Sequence, residues 1–309
     1  MIRLFFLSLI LIVPISVHAA LVEQGVENIV SVCSDGKTVY FLNETGKVYS
    51  KTKTGIVALD LPDQVVSVQA LEGSLFFLRT DGAVWQYLAG DLHLLDGHLP
   101  TRSIRAQGDR LFLLKESGFV VSWKQGQFRN LVTDRQFRTM VPYGQSSLVF
   151  MDRWGRVFRY DTYSEYIALL DSSPGTIQMV AGLDSLVVLK RDGSVYKYVD
   201  REFHKLNIQR PVREIATDGK SLYFIDIDRK FWEMDLVTDM LHNVQVQGHP
   251  DRVFVAAKKA YVSTMEGQVY GLEHSPRAAE SRRKFHRLWN TPDFNRGNDG
   301  LIHTDLRTK

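Results

Sequence analysis

Thr80-Asp81-Gly82-Ala83-Val84-Trp85-Gln86-Tyr87 reads as a strand end, a tight turn and a second strand. Asp-Gly suits a two-residue type I′ turn, whose two corner residues both need positive φ. Val84 and Trp85 beyond it are strand formers.

The hairpin recurs. Upstream stands Glu44-Thr45-Gly46-Lys47-Val48-Tyr49, and downstream Glu116-Ser117-Gly118-Phe119-Val120-Val121. Then come Arg153-Trp154-Gly155-Arg156-Val157-Phe158 and Arg191-Asp192-Gly193-Ser194-Val195-Tyr196. Ile227-Asp228-Arg229-Lys230-Phe231-Trp232 and Met265-Glu266-Gly267-Gln268-Val269-Tyr270 complete the set. The intervals between equivalent positions are 36, 36, 37, 38, 36 and 38 residues. Six of the seven turns keep Gly, and the sixth has Arg229.

Each unit carries an apolar strand before the turn, such as Ser74-Leu75-Phe76-Phe77-Leu78 or Ser185-Leu186-Val187-Val188-Leu189. Near-continuous apolarity marks a strand covered on both faces. A short strand precedes it, as at Val65–Val68, and a more polar one follows, as at Glu202–Leu206. Four short strands in about 37 residues, without a helical period, predict an all-β, seven-bladed β-propeller of four-stranded blades. The aromatics after the turns (Tyr49, Trp85, Phe158, Tyr196, Trp232, Tyr270) are expected to pack between neighbouring blades. The seventh unit lacks an outer strand, and Leu21–Gln24 precedes the first inner strand. The N-terminal strand is therefore expected to close the ring, which removes exposed edges.

Residues 1–20 read as a secretory signal. Arg3 is the only charge, Leu4–Val13 is apolar apart from Ser8, and Val17-His18-Ala19-Ala20 suits cleavage after Ala19 or Ala20. Ten apolar residues are too few to span a bilayer, which takes about 20. The expected location is periplasmic or secreted, with no transmembrane span in the mature chain. Cys33 is the only cysteine, so no internal disulfide is available. It is read as a partly buried strand end.

The expected propeller, 21–276, is followed by a tail, 277–309, with eight basic and four acidic residues. A short helix or a disordered end is expected there. Arg282, Arg283, Lys284, Phe285, Arg287, Leu288 and Trp289 are the candidate partner-binding residues, because Phe285, Leu288 and Trp289 would share one helical face beside a basic run. The net charge of +3 over 309 residues does not suggest nucleic acid.

No histidine pair has metal-ligand spacing, and neither a Gly-x-Ser-x-Gly elbow nor a Walker-type phosphate loop occurs. No catalytic residue, metal ligand or cofactor is assigned. Asp226-Ile227-Asp228 is read as a turn rather than a calcium loop.

The hairpins at 80–85 and 191–196 resemble the "DGxVW/Y" core of propellers in the regulator-of-chromosome-condensation repeat superfamily and of the tectonin type. The resemblance covers 21–276 and implies architecture alone. The expected function is non-enzymatic: a monomeric protein-binding or assembly module in the envelope or outside the cell. A lectin-like propeller binding glycan between blades is one alternative. A polysaccharide hydrolase or lyase with carboxylates at the axis is the other. A hairpin repeated in every unit builds the blade, so function is expected where the units differ: loops, inner strands, the sixth turn and the tail.

Overall fold

A computed structural model of the chain describes residues 20–132, 135–182 and 184–273. The expected signal segment and tail lie outside these residues. Residues 21–272 form one compact unit; of the other, which comprises 1–20 and 273–309, only the strand ends Ala20 and Glu273 are described.

The described residues contain 28 strands and no helix. They form seven four-stranded antiparallel sheets, the blades of a propeller. Blades 1 to 6 each use four consecutive strands, with the first of each on the inside. In blade 7 the order is Pro250–Ala256, Lys259–Thr264, Gln268–Glu273 and then Ala20–Glu27. The ring is thus closed by the N-terminal strand, as expected. A backbone bond seals the seam: Asn28 N–H donates to Gly267 O at 2.8 Å.

The turns differ from expectation. Gly82 has φ of 82°, but Asp81 does not take positive φ, so the turn is not type I′. Arg79 N–H donates to Ala83 O, and Gly82 N–H to Arg79 O, both at 3.0 Å. This is a three-residue loop, Thr80-Asp81-Gly82, whose last residue is left-handed. Such a loop continues into a bulge that matches strand twist, so only the Gly needs unusual φ. Asp81 acts through its carboxylate, which accepts from Ala83 N–H at 3.0 Å. Blade 6 makes the same turn without Gly: Arg229 takes φ of 57°. Gly82 could not be replaced so easily, because a Cβ there would lie 2.8 Å from Pro100 Cα.

These turns also join the blades. Thr80 N–H donates to Gln64 O, and Thr101 N–H to Gly82 O, both at 3.0 Å. The turns between second and third strands and the connections between blades therefore share one face, called the turn face below.

The core lies between the sheets. Second strands such as Ser147–Asp152 are buried throughout. Each apolar cluster joins two neighbouring blades: Leu42 and Val48 pack with Leu75 and Phe77, and Phe112 and Leu114 with Phe150 and Phe158. The post-turn aromatics take the expected places. Phe158 and Tyr270 are buried. Tyr49, Trp85, Tyr196 and Trp232 are partly buried against inter-blade clusters. His93 and His204 are exposed on outer strands.

Candidate functional site

The seven inner strands are Ile29–Ser34, Val65–Leu71, Thr101–Gln107, Phe137–Tyr143, Thr176–Ala181, Val212–Thr217 and Pro250–Ala256. Every one shifts register between its first and third residues, a bulge repeated around the ring. A bulge re-aims the side chains beyond it. The strands surround a cavity of about 880 Å³, the axial channel.

Its wall mixes polar, charged and apolar side chains. At the third position, blades 5, 6 and 7 place Gln178, Glu214 and Arg252, where blades 1 and 4 have Ser31 and Thr139. At the fifth, blades 2 and 3 place Gln69 and Arg105, while blades 4 to 7 have Val141, Val180, Ala216 and Phe254. Blade 1 has Cys33 there, buried, with its thiol pushed far above the usual range by desolvation. This fits the reading of Cys33 as a strand-end residue and gives it no nucleophilic character.

Several polar residues of the wall stitch one blade to the next. Gln178 Nε2 donates to Ile215 O at 2.9 Å, and Gln178 Oε1 accepts from Ile215 N–H at 3.0 Å. Gln69 Oε1 accepts from Ala106 N–H at 3.2 Å, and Glu214 Oε1 from Val253 N–H at 3.3 Å. These bonds satisfy backbone groups of inner strands, which pair with another strand on one side only.

Burial pushes the Glu214 carboxyl up to about 7, and Asp251 adds to this; Val253 N–H, Arg252 and Arg213 oppose it. The other acid on the wall, Asp218, accepts from Lys220 N–H at 2.8 Å and Ser221 N–H at 2.7 Å, holding a turn. A glycosidase needs two carboxylates set apart for acid and base or nucleophile roles. The described channel residues hold two carboxylates, Glu214 and Asp218, and Asp218 is engaged in its own turn. Among the described residues no cluster of three or more His, Cys, Asp or Glu could hold a metal ion.

The turn face carries a second feature. The middle turn residue is Thr45, Asp81, Ser117, Asp192, Asp228 and Glu266 in six blades, all small or acidic. In blade 4 it is Trp154, 53% exposed. The Arg153 and Arg156 guanidiniums stack on its ring, 4.0 and 4.7 Å from the centroid. Arg135 lies over Phe158 at 5.2 Å, and these side chains line a cleft of about 270 Å³. Asp152 orders the loop, accepting from Trp154 N–H at 2.9 Å, Arg156 N–H at 3.0 Å and Arg156 Nε at 2.7 Å. Ile227 and Met265, the first turn residues of blades 6 and 7, are also well exposed on this face.

The sixth turn has a structural role. Arg229 and Arg213 both donate to Asp251 of blade 7, at 3.1 and 3.2 Å. Asp226 before it is fully buried and accepts from Lys230 N–H at 2.8 Å and Trp232 Nε1 at 2.9 Å. That satisfies the turn reading of 226–228. The tail residues Arg282, Arg283, Lys284, Phe285, Arg287, Leu288 and Trp289 lie outside the described residues.

Sequence reading passed over Trp154 and Arg105. A Trp at a corner where six units have small or acidic residues was the available signal for the first. A lone Arg on an inner strand was the signal for the second.

No protein-family profile matches the chain, and no curated protein matches it by sequence. Solved structures do match its fold. Yeast RCC1 (Prp20), crystallised with Kap60, superposes with a TM-score of 0.64 at 12% identity, over 83% of each chain. The chain is a seven-bladed β-propeller, a fold it shares with RCC1. Two further propellers extend the comparison. YCF48, bound to D1 peptide, gives a TM-score of 0.64 at 11% identity, over 84% of this chain and 100% of that one. BamB from Moraxella catarrhalis gives 0.54 at 13% identity, over 80% and 83%. Likeness at such identity establishes fold and no more. Among the described residues no helix is long and apolar enough to cross a membrane.

Proposed function

We propose that this propeller is an exported protein-binding or assembly module, and that it engages its partner through the turn face around Trp154. The observation that carries the proposal is the substitution of one corner in a repeated structure. Six blades build that turn with small or acidic residues, so Trp154 is not needed to make it. An exposed Trp flanked by guanidiniums has the composition of an interface anchor. Asp152 already holds the turn in place, which lowers the ordering entropy lost on docking. Kap60 bound to RCC1 and D1 peptide bound to YCF48 are two cases of a propeller protein in complex with a protein or peptide. The basic tail, with Arg282, Arg283, Lys284, Phe285, Arg287, Leu288 and Trp289, is proposed as a second contact. The signal-like N-terminus supports a periplasmic or extracellular site of action.

A pulldown from envelope extract tests this, using the chain, a Trp154→Ala/Arg153→Ala variant and a chain lacking 277–309. A defined protein recovered by the parent and lost with the double variant, at unchanged melting temperature, is the expected result. Equal recovery by parent and double variant would refute the turn-face site. Retention on a glycan array with no protein recovered would overturn the protein-binding reading itself.

A further inference from the structure

We propose that the axial channel holds a small organic acid, with its carboxylate on Arg105 and Gln69 and its apolar body against blades 4 to 7. Arg105 anchors this site. Its charge stands in the channel wall of blade 3, partly withdrawn from water. Among the described residues no carboxylate pairs with it, and its Nη1 donates to the neighbouring Ile104 O at 2.8 Å. Elsewhere the chain pairs its withdrawn cations: Lys115 with Asp96, and Lys190 with Asp171. Withdrawn charges are costly unless compensated, and a guanidinium keeps its proton throughout. An unpaired one facing a cavity of about 880 Å³ leaves a place for an external anion.

Gln69 supplies the second donor. It stands at the equivalent position of blade 2, beside Arg105, and its Oε1 is engaged by Ala106 N–H at 3.2 Å. A backbone N–H requires an acceptor, which fixes the amide orientation and leaves Nε2 as a donor. The two residues together match a carboxylate, which takes donors at both oxygens.

The rest of the level selects the ligand class. Val141, Val180, Ala216 and Phe254 of blades 4 to 7 also line the channel there. A fully hydrated inorganic anion gains nothing from that wall. A carboxylate with an apolar chain gains contact with it. The wall as a whole carries Arg105, Arg138, Arg252 and Lys258 against Glu214 and Asp218, so an anion enters an attractive field. The inference is independent of the turn-face proposal.

Calorimetric titration of the whole chain with sodium hexanoate, hexanamide and inorganic phosphate provides the test. Hexanoate is expected to bind and to raise the melting temperature, with hexanamide and phosphate at least about tenfold weaker for want of charge or of apolar contact. Arg105→Gln should weaken hexanoate by about tenfold or more, because a charge-assisted pair is lost. Gln69→Leu should weaken it less. Arg105→Lys, which keeps the charge but not the planar fork, serves if the Gln variant does not fold; it should bind measurably but more weakly. Trp154→Ala should bind hexanoate as the parent does. The proposal falls if no carboxylate binds, if hexanamide equals hexanoate, or if phosphate alone binds. Undiminished binding by the Arg105 variants would also overturn it.

Discussion

Glu214 shows how one side chain in this ring couples to pH. Its carboxyl titrates at about 7 instead of 4.5, mainly because it is desolvated. Asp251 adds repulsion, while Val253 N–H, Arg252 and Arg213 pull the other way. The folded state therefore favours the protonated acid. That contribution is fully present below the unfolded value of 4.5 and is lost as pH rises through about 7. The difference corresponds to roughly 3 kcal/mol. Glu214→Gln keeps an acceptor for Val253 N–H and removes the charge. It should match the parent in stability at about pH 4 and exceed it increasingly as the pH is raised toward about 8, by urea denaturation. A stability difference that does not change with pH would contradict this account.

Pairs of strands show a second device. Lys115, at the end of the second strand of blade 3, is buried. It meets Asp96, at the end of the outer strand of blade 2, and donates to Leu99 O at 3.0 Å and Thr101 Oγ1 at 2.9 Å. Blades 4 and 5 repeat the device: Lys190 Nζ donates to Asp171 at 2.5 Å and Ser173 Oγ at 3.1 Å. Removing one partner of a buried pair strands the other charge. Asp96→Ala should thus destabilise by about 3–5 kcal/mol, and Asp96→Ala/Lys115→Met should recover most of it. Thermal and chemical melts of the three chains decide the matter; a double variant no better than the single one would argue against a charge effect. These pairs were not legible in the sequence. The residues lie 19 apart, and only the stacking of one blade on the next brings them together.

For the ring as a whole, closure is the decisive event. Blade 7 takes three strands from one part of the chain and its outer strand, Ala20–Glu27, from the other end. Deleting 20–27 should expose the edge of Gln268–Glu273 and free the seam at Asn28 and Gly267. An unpaired edge strand promotes association between chains. The expected result is a markedly lower melting temperature with aggregation on light scattering. An unchanged melt with monodisperse protein would show that the strand does not hold the ring.

The Gly-centred hairpin recurring every 36 to 38 residues specified the fold from sequence alone. Its information is local and repeated: turn chemistry, apolar runs and period each point to the same four-stranded unit. The orphan N-terminal segment likewise implied closure, because a blade lacking a strand must find one. The turn type was misjudged for a local reason. Asp-Gly fits two different loops, and the bulge preferred here depends on the strands it joins. The candidate sites depended on tertiary structure. Gln69 and Arg105 are 36 residues apart and become neighbours on the channel wall only when successive inner strands line the axis. Trp154 departs from its counterparts in the sequence, but only the structure shows that its ring stays outside the core with two guanidiniums against it. A repeat tells which residues build a blade; which departures from it face a channel or solvent depends on how the blades are set around the ring.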